Sequence, residues 1–155
     1  MTPTELMRRA IALSLDSVRT GGGPFGALIA RDGVILAEGS NRVTPDRDPT
    51  AHAEIVAIRA ACTTLGSFGL QGCEIYTSCE PCPMCLGAIY WARLARIHYA
   101  NDRTDAAAIG FDDAALYREV AVPPAARTLP MTRLLAAEAR AAFEAWAAKP
   151  DKTPY

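Results

Sequence analysis

Thirty residues separate His52 from Cys82, and each stands where a helix should begin. Before the first, "DPTA" is turn-forming, and "HAEIVAIRAACTTLG" then has the period and closing glycine, Gly66, of a helix. Before the second, "GCEIYTS" reads as a strand, and Pro81 suits a helix entry ahead of "CPMCLGAIYWAR". One helix and one strand fill the interval and bring the second helix start alongside the first. Whatever else the chain does, it must fold so that these two N-termini face one another.

The flanking segments suit that requirement. Thr2, Pro3 and Glu5 form a capping-box helix start, and Met7, Ile11, Leu15 and Val18 recur at helical spacing, which predicts a core-facing stripe ended by Gly21 to Gly23. "FGALIARDGVILAEG" is two strands joined by Asp32-Gly33, a pair suited to a tight hairpin. "NRVTPDRDP" is a loop and "ARIHYAN" a strand, so the order is α-β-β-α-β-α-β. Between 101 and 127, "TDAAAIGFDDAALYREV" contains a short helix and "AVPPAART" a linker. Farther on, "RTLPMTRLL" either opens a helix running from Met131 to Lys149 or forms a final strand before "AAEARAAFEAWAAK".

With 155 residues, the chain is the size of a single domain able to bury its own core. Sixteen basic residues against seventeen acidic ones, with no Lys/Arg-rich run, give no electrostatic support to nucleic-acid binding. Charge interrupts the N-terminal apolar residues, unlike a signal peptide, and no segment approaches the ~20 apolar residues of a membrane span. A cytoplasmic protein that does not enter the membrane is expected. "GGGPFG" matches G-x-G-x-x-G, but it follows a helix and enters a strand, the reverse of a dinucleotide-binding turn, and Pro24 has no amide hydrogen to offer a phosphate.

Five cysteines in such a chain point to metal ligands or buried thiols rather than disulfides. Cys62 and Cys73 are assigned to packing, and His98, distant from the other motifs, to a structural role. Cys82 and Cys85, at i and i+3 of a helix start, share a face where the helix terminus favours thiolates. Together they make half a zinc site, and His52 supplies a third ligand. Cys79 stands at the end of the preceding strand. On the metal it would close the fourth position and make the zinc structural; off the metal, as a packing thiol beside the site, it leaves a corner open for water. With that corner open, zinc makes hydroxide available near neutral pH, and Glu54, two residues from His52, is placed to shuttle protons.

The pairing of "HAE" with "PCPMC" is the H-x-E…P-C-x-x-C signature of zinc-dependent deaminases. "GGPFGA", "DPTAHAE", "YTSCEPCPMCLGAIYWAR" and "TDAAAIGFDD" resemble the bacterial guanine deaminases of the cytidine deaminase-like superfamily, and the similarity extends over nearly the whole chain. The resemblance implies a three-layer α/β/α fold with a mixed five-stranded sheet, and hydrolysis of guanine to xanthine and ammonia as zinc-bound hydroxide attacks C2. It implies one zinc per chain on His52, Cys82 and Cys85, Glu54 as proton shuttle, and a homodimer in which a C-terminal segment of about 145–155 is exchanged so that Tyr155 covers the partner's site.

Substrate contacts implied by the same resemblance are Asn41, Phe25, Ala53, Asp113, Trp91 and Tyr155. Several of these have ordinary rival readings. Asn41 lies in a Gly-Ser-Asn turn, Phe25 suits a core as well as a purine face, and Asp113 suits a helix cap ahead of "AALYREV", a task Asp112 can also fill. Trp91 on an apolar helix suits a core, and "KPDKTPY" suits a disordered tail. Alternatives to guanine are a tRNA adenosine, cytosine or an amino-triazine. A structural zinc module for protein interaction is the non-enzymatic rival, and it would leave Glu54 without a role.

Overall fold

The computed structural model describes residues 1–155. The chain divides into two compact units, Met1–Asp113 and Ala114–Tyr155.

In the first unit, Thr2 caps helix α1 (Pro3–Arg19) through the expected capping box with Glu5. Strands β1 (Gly26–Arg31) and β2 (Val34–Ser40) form the hairpin, with Asp32 and Gly33 at φ 51° and 76° in its turn. A four-residue helix, α2 (Val43–Asp46), interrupts the expected loop. Helix α3 (Ala53–Leu65) follows, then β3 (Glu74–Cys79), α4 (Pro83–Trp91), β4 (Arg96–Asn101) and α5 (Arg103–Ala108).

The sheet order is β2-β1-β3-β4, with β1 antiparallel to both its neighbours and β3 parallel to β4. Side chains alternate between its faces, as the pleat requires. Ala27, Ile29 and Ile75 join Ala53, Ala57, Ala61 and Ile89 in one core. Leu28, Ala30 and Tyr76 join Leu6 and Ala10 of α1 in another. Helices therefore cover both faces, the expected α/β/α layering. A glycine sets how closely one of them approaches: a Cβ on Gly39 of β2 would lie 2.3 Å from the Ala53 carbonyl oxygen. That closeness holds the start of α3 against the sheet.

Two expectations are corrected. The sheet has four strands, not five. The candidate fifth, around "RTLPMTRLL", pairs with none of the others: Pro130 removes a ladder donor, and Leu135 takes a left-handed φ of 49° that breaks an extended run. The buried face of α1 is also rotated from the expected one. Leu6, Ala10, Ser14 and Ser17 face inward, whereas Ile11, Leu15 and Val18 are exposed. Beyond Leu6 small residues win because α1 lies close on β1, where a Cβ on Gly26 would come within 2.4 Å of the Ala10 carbonyl oxygen.

The second unit contains α6 (Ala114–Ala121), a 3-10 turn at Pro124–Ala126 and α7 (Ala136–Ala148), and none of these has a buried residue. Helix α7 starts five residues later than a helix from Met131 would. No helix of the chain is long and apolar enough to cross a membrane.

Candidate active site

His52 is the N-cap of α3 and Cys82 the N-cap of α4, so each donor stands at the positive end of a helix. His52 Nδ1 lies 3.6 Å from Cys82 Sγ and 3.5 Å from Cys85 Sγ, and all three ligand atoms fall within 4.8 Å of one another. A tetrahedral zinc with bonds of about 2.3 Å to sulfur and about 2.0 Å to nitrogen needs sulfur–nitrogen edges of roughly 3.5 Å. The triangle therefore fits zinc in size as well as in donor chemistry.

Its electrostatics suit a cation. A hydrogen bond from Cys85 and one from His52 pull the Cys82 thiol down to about 4. Cys85, which donates to that thiolate and is buried, is pushed far up. His52 is raised, first by its hydrogen bond to Cys82. Protons on Cys85 and His52 thus satisfy the Cys82 thiolate, and a dication would take their place.

Glu54, in the first turn of α3, is 6% exposed. Burial, followed by the nearby Cys82 charge, raises its carboxyl above the ordinary range, and the carboxyl hydrogen-bonds the Cys85 side chain. It therefore stands directly beside the donor triangle. Cys79 is absent from the triangle: its Sγ donates to the Asp102 carbonyl oxygen at 3.7 Å, and burial pushes it up to about 11. A neutral thiol engaged elsewhere suits packing rather than ligation. Glu80 also has a local task, accepting the Arg103 amide at the start of α5 at 3.1 Å.

Asn41 follows β2 and is buried. Its Oδ1 accepts from the backbone amides of Gly23 at 3.2 Å and Val43 at 3.3 Å. Two amide donors identify the accepting atom as oxygen, which leaves Nδ2 to offer hydrogens to a ligand. Ala53 is fully buried at the first position of α3, between His52 and Glu54. Phe25 packs partly on the core and meets Phe111 edge to face, with ring centroids 5.0 Å apart. Asp113 is half-buried, and its carboxyl is raised by burial and then by the charge of Cys82, which couples it to the donor triangle.

Two further expected contacts are exposed residues. Trp91, the last residue of α4, is 68% exposed, so it is neither core nor on the buried face that carries Cys85. Tyr155 belongs to the other unit. Phe111 is not among the contacts expected from the sequence, where it stands between Gly110 and two aspartates. Its ring partner Phe25 lies far earlier in the chain, in "GGGPFG", so no local pattern pairs the two.

Comparison with known proteins places these residues in context. The sequence model for the cytidine and deoxycytidylate deaminase zinc-binding region matches residues 1–101. The guanine deaminase of Bacillus subtilis (strain 168) is 50% identical over 156 residues, covering 100% of both chains. The X-ray structure of guanine deaminase from Bacillus subtilis superposes with a TM-score of 0.97, covering 100% of this chain and 99% of that one. A guanine deaminase from Nitrosomonas europaea is similar at 36% identity and TM-score 0.70, over 73% of this chain and 66% of its own. The tRNA-specific adenosine deaminase of Agrobacterium fabrum is 46% identical, over 49% of this chain and 50% of its own.

Proposed function

The chain belongs to the cytidine and deoxycytidylate deaminase family of zinc-binding enzymes, and from that premise we propose that it hydrolyses free guanine to xanthine and ammonia. The observation that carries the reading is the buried carboxyl of Glu54 beside a zinc-sized triangle of His52, Cys82 and Cys85. A structural zinc module has no use for a buried acid in that position.

His52, Cys82 and Cys85 would hold a zinc ion, which would supply the Lewis acidity that eases deprotonation of water near neutral pH. Water adds to C2 of the base, the C2–NH2 bond breaks, and the amino group leaves as ammonia. Glu54 takes one proton from the water to the adjacent ring nitrogen and then a second, from the new hydroxyl on C2, to the departing amine. Its raised affinity for protons suits both tasks, since a general acid-base works best with a pKa near the operating pH. The Nδ2 hydrogens of Asn41 point to an acceptor partner, a ring nitrogen or carbonyl of the purine. Asp113 accepts from the amino and ring N–H groups of guanine, and Phe25 and Ala53 wall the base.

The same reading includes a homodimer in a reducing, cytoplasmic compartment, and its supports are of three kinds. All five cysteines are free. Strand β4 pairs with β3 alone, leaving an edge, and edges are rarely left long and bare. The Ala114–Tyr155 unit exposes Leu129, Leu134, Leu135 and Phe143. A second copy of the chain is the partner that answers the last two, with the C-terminal segment exchanged, Tyr155 covering the partner's base and Trp91 at the shared wall.

The test is ammonia release from zinc-loaded protein supplied in turn with guanine, guanosine, cytosine, adenine and tRNA. Free guanine is the expected substrate, and Glu54→Ala is expected to lose at least about 10²-fold in kcat, the low end for a general acid-base residue. Turnover of tRNA in preference to guanine would overturn the substrate, and full activity in Glu54→Ala the mechanism.

A further inference from the structure

The glycine-rich run "GGGPFG" is no phosphate cradle, yet it lies against Asn41 at several points. Gly23 donates its amide to Asn41 Oδ1. The Asn41 amide donates to the Phe25 carbonyl oxygen at 3.0 Å. On the other side, Ser17 of α1 donates its hydroxyl to the Asn41 carbonyl oxygen at 3.1 Å, while the Ser17 carbonyl oxygen accepts the Gly22 amide at 2.8 Å. Ser17 is 1% exposed, a polar residue on a face where apolar ones would be expected. A buried hydroxyl is kept there because its hydrogen bond is satisfied, and removing it would leave the Asn41 carbonyl oxygen without that partner.

There is no slack in this arrangement. A Cβ on Gly22 would lie 2.2 Å from the Asn41 carbonyl oxygen and 2.4 Å from Ser17 Oγ, so a side chain at 22 must push the two apart. A Cβ on Gly23 would lie 3.3 Å from the Asn41 amide group, a milder intrusion. Backbone and side chain of Asn41 are thus held by separate bonds from two segments, and the side-chain bonds select which end of the amide faces outward.

We propose that Ser17, Gly22 and Gly23 form a clasp that fixes Asn41 with its Nδ2 donors outward, which makes these three the positioning residues that restrict the site to bases offering an acceptor at that point. This rests on the reading of Asn41 as a contact to the base and deepens it. Because such a contact is made equally before and during the reaction, loosening it raises KM and leaves kcat nearly alone.

The experiment compares Ser17→Ala, Asn41→Ala and the double variant in guanine turnover, with zinc content measured in each. Ser17→Ala is expected to raise KM about tenfold at near-constant kcat with zinc retained, a size appropriate to losing one well-placed hydrogen bond. In the Asn41→Ala background the same change should add nothing, since the clasp then has no side chain to aim. An equal rise in both backgrounds would assign Ser17 to general packing and overturn the clasp. An Asn41→Ala enzyme with unchanged KM would instead overturn the base-contact reading beneath it.

Should Ser17→Ala fold poorly, Asn41→Asp asks the same question without touching the clasp. Its carboxylate can still accept from Gly23 and Val43, so exchange protection of the Gly23 amide should persist while KM rises at least tenfold for want of outward donors. Protection retained with an unchanged KM would overturn the donor-outward assignment.

Discussion

Met1–Asp113 encloses Leu28, Ile29, Leu70 and Ile75 completely, whereas in Ala114–Tyr155 no helix has a buried residue and Leu129, Leu134, Leu135 and Phe143 are all exposed. The two units also differ in what they share with relatives. The family match ends at residue 101, inside the first unit, while the Bacillus subtilis guanine deaminase aligns through the second as well. The chemistry and the core that supports it belong to the first unit. The second carries apolar surface without a core, which is how a segment looks when its burial is supplied by another molecule.

The contrast is sharpest at the donor triangle, where the largest effect is expected. Cys82→Ala removes one of the three proposed zinc ligands, so the purified protein should lose its zinc and with it guanine turnover. Cys79→Ala, whose sulfur bonds to a backbone carbonyl instead, should keep its zinc. Metal analysis of the two variants side by side decides the matter, and the reverse pattern would move the site onto Cys79.

Leu28 and Leu134 then compare the two units directly. Leu28 is wholly enclosed between β1 and α1, so Leu28→Ala should cost about 2–5 kcal/mol in urea unfolding through lost burial and the cavity left behind. Leu134 is 75% exposed, so within a lone chain Leu134→Ala should fall within about 0.5 kcal/mol. If a second copy covers it, the cost becomes concentration-dependent. Leu134→Asp should then weaken the dimer at least about tenfold, or ~1.4 kcal/mol, in sedimentation. A wild-type chain that sediments as a monomer at all concentrations would break that account of the second unit.

What was legible in the sequence divides along the same line. The hairpin turn at Asp32-Gly33 and the capping box at Thr2 are set by local chemistry, and His52, Cys82 and Cys85 each stand in a motif that names its donor, so the structure contains all of them. The inward face of α1 differs from the predicted one because Ile11, Leu15 and Val18 are the more apolar residues, while the close approach of Gly26 leaves room only for small ones at Ala10 and Ser14. Ser17 was invisible for a related reason, since its partner Asn41 lies 24 residues away and nothing in either neighbourhood announces the other. The fifth strand was inferred from relatives, but a strand exists only when an edge receives it, and within this chain none does.

The smallest effect concerns ion pairs. In the first unit Arg9 of α1 grips Glu38 of β2 through two bonds, Nε to Oε1 and a terminal nitrogen to Oε2, each 2.6 Å, joining residues 29 apart. In the second, Lys149 meets Asp151 two residues along at 2.9 Å, an exposed local contact. The Arg9 hydrogen bond holds the Glu38 carboxyl below the usual glutamate range against the opposing effect of burial. A depressed carboxyl contributes its stability above pH 4.5 and loses it as the pH falls through the lower folded value. Because both side chains are partly exposed, solvent screens the pair, and Glu38→Gln should cost less than about 1 kcal/mol at pH 7. That difference should shrink steadily in unfolding curves taken from pH 5 downward, and it should vanish once the wild-type carboxyl is protonated. Asp151→Asn should leave stability unchanged throughout, because a contact between near neighbours fixes nothing that folding has to bring together. An equal loss in the two variants would mean that sequence separation, the property that most distinguishes the two pairs, has no bearing on what either contributes.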